Sequence, residues 1–300
     1  MKPELSTNLC GIKLDNPTVL ASGIIGNTGE LLKRVGDEGA GAVTTKSISL
    51  KPWEGHPSPN VVELKNGLLN AMGLPNPGAE EFIEEIKIAK EGDALVIVSV
   101  VESSIQGYAD VISVLESAEP DMYELNASCP NVKGGQDISR SPELAGKLLE
   151  KACSVTNAPI SFKISPDAGK LTDVARAVDE AGASAITAVN TLPAKAIDSK
   201  TNLPILSNTR GGLSGELLRP IALRCVSEIS DAVEIPIIGT GGVSTGQHAA
   251  EMISAGARAV GIGTAVWHHG VGVFKKVSDE LSSIMESRGF ENVGAIEHGI

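Results

Sequence analysis

The amino-acid sequence predicts an α/β fold, a (β/α)8 TIM barrel with long βα-loop insertions, and three observations carry that prediction. Eight short runs rich in strand-forming residues recur along the 300-residue chain, separated by segments of helical period. The first run ends in ASGIIGN, so the G-x-G-x-x-G turn expected of a competing doubly wound open sheet is missing. Aromatic residues make up only 3% of the chain, which leaves the core to Ile, Val, Leu and Ala and suits a parallel sheet.

In chain order the runs are PTVLASG from position 17, AVTTKS from 42, ALVIVSV from 94, MYELNAS from 122, PISFKIS from 159, SAITAVN from 184, IPIIGTG from 235 and AVGIGT from 259. Between and after them lie GELLKRVGDEGA, AEEFIEEIKIAKEG, a stretch from Gln106 to Ser117, PELAGKLLEKACSVT, LTDVARAVDEAG, ELLRPIALRCVSEIS, TGQHAAEMISAG and FKKVSDELSSIMESRG, all read as helices. The related phrases EGAGAV, EAGASAI and SAGARAV each end a helix at glycine and lead through small residues into a strand. Such alternation is that of βαβ units, and residues 1–300 are read as one barrel domain. Two connections are long, Ile48 to Pro77 and Leu192 to Gly215, and their apolar pieces NVVEL and LPILS are expected to form hairpins.

The charge balance narrows the function. Lys and Arg total 25 against 37 Asp and Glu, a formal charge of −12, which argues against nucleic acid as a partner. Cys10, Cys129, Cys153 and Cys225 are scattered, with no C-x-x-C pair for zinc or an iron–sulfur cluster, so no metal is expected. The start, MKPELSTNLCGIKLDNP, has no apolar stretch of signal-peptide length, and no run approaches the roughly 20 residues of a membrane span. A cytoplasmic protein without membrane attachment is the expectation.

Polar residues collect where the runs end: Ser22 and Gly23, Lys46 and Ser47, Ser99, Asn126 and Ser128, Lys163, Asn190 and Thr191, Gly241 and Gly242, Gly263 and Thr264. In a barrel all these ends share one rim, where ligands bind, and the set reads as one convergent site. The turns GTGGVS and GIGTA are either a phosphate seat after strands seven and eight or simple tight turns. Lys163, flanked by apolar residues, is a Schiff-base nucleophile, half of a structural ion pair, or a fixed cation facing a charged ligand. Lys46 is either a surface lysine or a second cation on that rim, and a pair of cations suits a bound cofactor together with an anionic substrate. Cys129, in a polar turn before Pro130, is an inert buried thiol or, beside lysines, a base or nucleophile. His56, His248, His268, His269 and His298 have no metal-ligand spacing and are read as surface or structural residues.

The stretches ASGIIGN, TTKSIS, NAMGLPNPG, ELNASCPNVKGG, SFKISP, AVNT, KAIDSKTNLPILSNTRGGLSG, GTGGV and VGIGTA occur in order over nearly the whole chain, and on them the sequence resembles the class 1 dihydroorotate dehydrogenases. The resemblance implies an FMN cofactor, its phosphate on Gly215, Gly241, Gly242, Gly263 and Thr264 and its ring near Ser22, Gly23, Lys46, Ser47, Ser99, Asn126, Lys163 and Val189. It implies that dihydroorotate is held by Lys46, Asn70, Met72, Gly73, Leu74, Asn126, Asn131, Asn190 and Thr191, with Cys129 as the catalytic base. Ser99 stands where the family usually has asparagine, and LSGELLRP replaces a more usual glycine-proline turn. Cysteine at the base position and the absence of an N-terminal extension are similar to class 1, and CPNVKGG to its B type. That type implies a homodimeric core within a heterotetramer, and a partner subunit carrying FAD and a [2Fe–2S] cluster that passes electrons to NAD. A fumarate-using homodimer, a related dihydropyrimidine or uracil oxidoreductase, a Schiff-base aldolase using Lys163 and a noncatalytic scaffold are the competing readings.

Overall fold

The computed structural model describes residues 2–127 and 138–296, and among them eight parallel strands close into a barrel. They are β1 Thr18–Leu20, β2 Ala42–Thr44, β3 Leu95–Val100, β4 Met122–Asn126, β5 Ile160–Ile164, β6 Ala185–Ala188, β7 Ile237–Thr240 and β8 Ala259–Ile262. Each strand pairs with the next in sequence, and β8 pairs with β1, Ile262 opposite Leu20, so this sheet has no edge. Every strand falls inside one of the eight runs, and the expected fold class is the observed one.

Helices α1 Gly29–Asp37, α2 Ala79–Ala89, α3 Ile105–Leu115, α4 Pro142–Cys153, α5 Leu171–Glu180, α6 Arg219–Ser230, α7 Gly246–Ser254, the short α8 Thr264–His269 and α9 Val273–Arg288 surround the strands. Local chemistry sets several of their ends. The hydroxyls of Thr28, Ser104, Ser141 and Thr245 each accept a backbone N–H from the first turn of the helix that follows. Gly39, Gly182 and Gly256, the glycines of the three related phrases, follow helix ends with φ of 101°, 97° and 108°. Between the ends, faces such as Leu171, Val174, Ala175 and Val178 of α5 are buried, which fixes how each helix lies on the barrel.

The barrel is closed at one end. An antiparallel hairpin, Thr7–Leu9 with Ile12–Leu14, places Leu9 and Leu14 in a cluster with Val19, Ala42, Leu95, Ile97, Met122, Ala185, Ile238 and Ala259, residues at or near the N-terminal ends of the strands. Above this apolar floor the interior turns polar: Ser99, Glu124, Ser161, Lys163 and Thr187 are all buried. Their groups satisfy one another, Ser161 with Thr187 at 2.9 Å and Ser99 donating to Glu124 at 3.1 Å.

At the other end, the two long connections build one antiparallel sheet in the order Leu192–Ala194, Gly211–Gly215, Gly67–Asn70, Val61–Leu64. The NVVEL piece forms a hairpin as expected. LPILS does not: it contributes only the bridge of Pro204 to Ile197, since proline has no N–H to extend a ladder, and Gly211–Gly215 takes the pairing position on both sides.

Candidate active site

Side chains on one face of a strand recur every second residue, so Glu124 and Asn126 of β4 share the interior face with Ser161 and Lys163 of β5. The register sets Asn126 opposite Lys163 and Glu124 opposite Ser161, which brings the Lys163 ammonium to 3.2 Å from Glu124 Oε1. Both side chains are almost fully buried, and of the three roles open to Lys163 the ion pair is the one present.

Beyond the end of β2 the chain continues along β3, and here Lys46 and Ser47 enter the mouth. Ser47 Oγ is a hub, 2.9 Å from Ser99 Oγ, 3.3 Å from Ser22 Oγ and accepting from Asn126 Nδ2 at 3.0 Å. Asn126 Oδ1 accepts in turn from Asn190 Nδ2 at 3.0 Å, and Asn190 Oδ1 accepts the Thr191 N–H at 2.8 Å. Six predicted positions, Ser22, Ser47, Ser99, Asn126, Asn190 and Thr191, are therefore joined in one hydrogen-bonded chain. Ser99 is its fully buried end, supporting Ser47 from below and donating to Glu124.

Lys46 differs from Lys163 in its surroundings. It is 5% exposed, yet among the described residues no carboxylate lies within ion-pair distance of its ammonium. Burial, and then repulsion from Lys163, lower its pKa below the ordinary 10.5. Among the described residues, two buried cations against the single carboxylate of Glu124 give the mouth a surplus positive charge, which an anion would neutralise.

A cleft of about 440 Å³ opens where β7 and β8 end, lined by Glu63, Leu64, Lys65 and Asn66 of the accessory hairpin and by Gly215, Glu216, Gly242, Val243, Ser244, Gly263, Thr264, Ala265, His268 and His269. Two of its glycines are required by packing. A Cβ on Gly215 would lie 2.6 Å from Gly67 Cα, and one on Gly242 2.7 Å from Arg219 Cβ; both also have positive φ. Among the described residues the backbone N–H groups of Gly242, Val243 and Ser244 find no protein acceptor, which fits a seat for phosphate oxygens.

Other predicted positions lie elsewhere. Gly241 does not line the cleft and packs against Ala222 of α6. Gly23 leaves open space above its Cα, and Val189 ties β6 to β7 by donating to Thr240 O at 2.8 Å. Asn70 Nδ2 donates to Gly212 O at 3.4 Å, and Gly212 also abuts Thr191. Met72 and Gly73 lie against the Gly55–His56 turn, with Met72 O accepting the His56 N–H at 2.9 Å, and Leu74 O accepts from Asn76 Nδ2 at 3.0 Å. Cys129 and Asn131 lie outside the described residues. Burial raises the pKa of each of the other three thiols, Cys10 to about 12, so none of them is poised as a thiolate.

Sequence reasoning did not single out Glu124, although its position two residues before Asn126 puts it on the same strand face. Nor did it connect the histidines with the site, yet His268 and His269 line the cleft and His248 lies behind Ser244. Among the described residues there is no cluster of His, Cys, Asp and Glu that could hold a metal ion, and no helix is long and apolar enough to cross a membrane.

The comparisons with known proteins are extensive. The dihydroorotate dehydrogenase family model matches residues 4–285. The dihydroorotate dehydrogenase B (NAD(+)) catalytic subunit of Methanosarcina mazei is 43% identical over 97% of this chain and 94% of its own length. The protein of that name from Pyrococcus abyssi is 43% identical over 97% of both chains. A crystal structure of the Eimeria tenella enzyme DHODH with ferulenol superposes with a TM-score of 0.85 over 98% of this chain and 88% of that one; at 23% identity it attests the fold. With relatives of this identity aligned almost end to end and a family model spanning the barrel, the chain belongs to the dihydroorotate dehydrogenase family.

Proposed function

We propose that this chain is the FMN-carrying catalytic subunit of an NAD-linked dihydroorotate dehydrogenase, oxidising (S)-dihydroorotate to orotate in pyrimidine synthesis. One observation carries the substrate: Lys46, buried at the mouth with no carboxylate partner among the described residues, is matched to the carboxylate that dihydroorotate bears and uracil lacks. The names of the relatives, B (NAD(+)) catalytic subunits, support the same reading.

The residues present fit FMN. The Gly215, Gly242, Gly263 and Thr264 cleft, with its free backbone N–H groups, suits the phosphate, and the chain of Ser22, Ser47 and Asn126 suits a polar ring edge. FMN, when bound, supplies the acceptor for the hydride that leaves C6 of the substrate. Lys163, anchored by Glu124, would supply the bound ring with a fixed positive charge that favours its taking up negative charge. An ammonium donating to a carboxylate at 3.2 Å is also a poor amine nucleophile, which weighs against a Schiff-base aldolase.

Asn126 and Asn190, locked to each other and to Ser47, present amide groups that match the donors and acceptors of the pyrimidine ring, and Asn70 and Thr191 border Gly212 beside them. Cys129 takes the proton from C5, whose bonding pair becomes the C5=C6 π bond of orotate as the C6 hydrogen departs with its own pair as hydride; that role rests on the sequence and its likeness to the family. Electrons then leave through a partner subunit with FAD and a [2Fe–2S] cluster to NAD, in a heterotetramer built on a homodimer of this chain. The proposal places the protein in the cytoplasm.

The test is ligand binding to Lys46→Ala. Orotate should bind on the order of tenfold or more weaker, as for loss of a charge-assisted contact, while uracil binding changes little. Equal losses for both ligands would overturn the substrate assignment.

A further inference from the structure

The wall of the phosphate cleft contains a hydrogen-bonded relay that the proposed reaction does not use. Glu216 and Ser244 both line the cleft, and Ser244 Oγ donates to Glu216 Oε1 at 2.6 Å. His248, one turn further along in α7, places Nδ1 3.1 Å from the same hydroxyl. A serine hydroxyl has one proton and a carboxylate only accepts. Ser244 therefore spends its proton on Glu216, and His248 Nδ1–H must point at Ser244. The relay runs from His248 through Ser244 to Glu216 at the cleft surface.

Among the described residues no Lys or Arg forms an ion pair with Glu216. Arg219 on α6 pairs with Glu251 on α7, and Glu280 on α9 accepts the Gly246 N–H at 2.7 Å and faces Lys276. Across the cleft stand Glu63, Lys65, His268 and His269, with His268 Nδ1 3.6 Å from Glu63. The cleft thus carries two carboxylates against one ammonium. A phosphate ester seated on the backbone N–H groups of Gly242, Val243 and Ser244 would share the cleft with the Glu216 carboxylate, and like charges so close do not both stay ionised.

We propose that a phosphate ester enters this cleft together with one proton, drawn from solvent and held on the Glu216–Ser244–His248 relay, so that the cleft selects phosphate plus proton over the bare dianion. The idea rests on the reading of this cleft as the seat of the FMN phosphate. His248 is suited to join: burial, then Arg219, lowers its pKa, whereas Glu216, Glu251 and Glu280 oppose that shift, and an added phosphate charge works in their direction.

The test is flavin binding to the protein stripped of cofactor, followed by quenching of flavin fluorescence from pH 6.5 to 8.5, above the second phosphate ionisation near ~6. Uptake of one proton makes the FMN dissociation constant rise about tenfold per pH unit. Riboflavin, which lacks the phosphate, shows no such slope, and Glu216→Gln flattens the FMN slope. Calorimetry of the unmutated protein in buffers of different ionisation heat should count one proton taken up at pH 7.5. An FMN affinity independent of pH, a slope shared by riboflavin, a slope that survives Glu216→Gln, or a count of zero overturns the relay alone. Failure to bind FMN at any pH overturns both the relay and the flavoprotein reading.

Discussion

Lys46 shows how a single side chain couples stability to function. Its pKa is lowered by burial and by Lys163, so the folded chain binds fewer protons at this position than the unfolded chain. Stability therefore rises with pH between the lowered value and the ordinary 10.5, and the deficit is complete below the lowered value. Lys46→Met should raise the melting temperature of the ligand-free protein at pH 7 and flatten its gain in stability toward pH 10, as followed by scanning calorimetry; a lower melting temperature would mean that the buried charge is compensated. At this scale the sequence was readable where a polar side chain ends a strand, as at Lys46, Asn126 and Asn190. Glu124 was hidden because it sits inside an apolar run, where only the two-residue strand period reveals that it shares a face with Asn126. The histidines were hidden for another reason. His268 and His269 reach the cleft through the fold of α8 after β8, and nothing in their spacing announces that.

Among the elements, the N-terminal hairpin is the clearest case of a piece that local pattern does not disclose. Its strands, Thr7–Leu9 and Ile12–Leu14, are three residues each, too short for alternation to stand out. Its importance comes from contacts far away in sequence, with Ala185, Ile238 and Ala259. Leu9 is fully buried there, so Leu9→Ala should destabilise the protein by about 2–5 kcal/mol in urea denaturation while leaving FMN affinity unchanged. A parallel loss of FMN affinity would show that the floor and the mouth are linked. The accessory sheet was hidden similarly: NVVEL announces one hairpin, but no local signal announces that Gly67–Asn70 pairs with Gly211–Gly215 across four intervening barrel strands. The eight barrel strands were legible because each is a short run of strand-forming residues beside a helical segment, a pattern contained within a few tens of residues.

For the whole molecule, chemistry is layered along the barrel axis, from the apolar floor through the Ser99–Glu124–Lys163 layer to the Asn126–Asn190 chain at the mouth. No partner is shared between the two ends, so the stability changes of Leu9→Ala and Lys46→Met should add to within about 0.5 kcal/mol in the double variant. A larger departure from additivity would reveal strain transmitted through the middle layer. The hairpin that seals the floor also sets the order of traffic. Reactant and product have no passage down the axis and must come and go by one doorway, the rim where the flavin is proposed to lie. Orotate therefore has to vacate before the next dihydroorotate can enter, and on the proposed function the electrons would depart sideways, through the wall. On that reading turnover in such a vessel would be ping-pong, with orotate competing against dihydroorotate for the same opening.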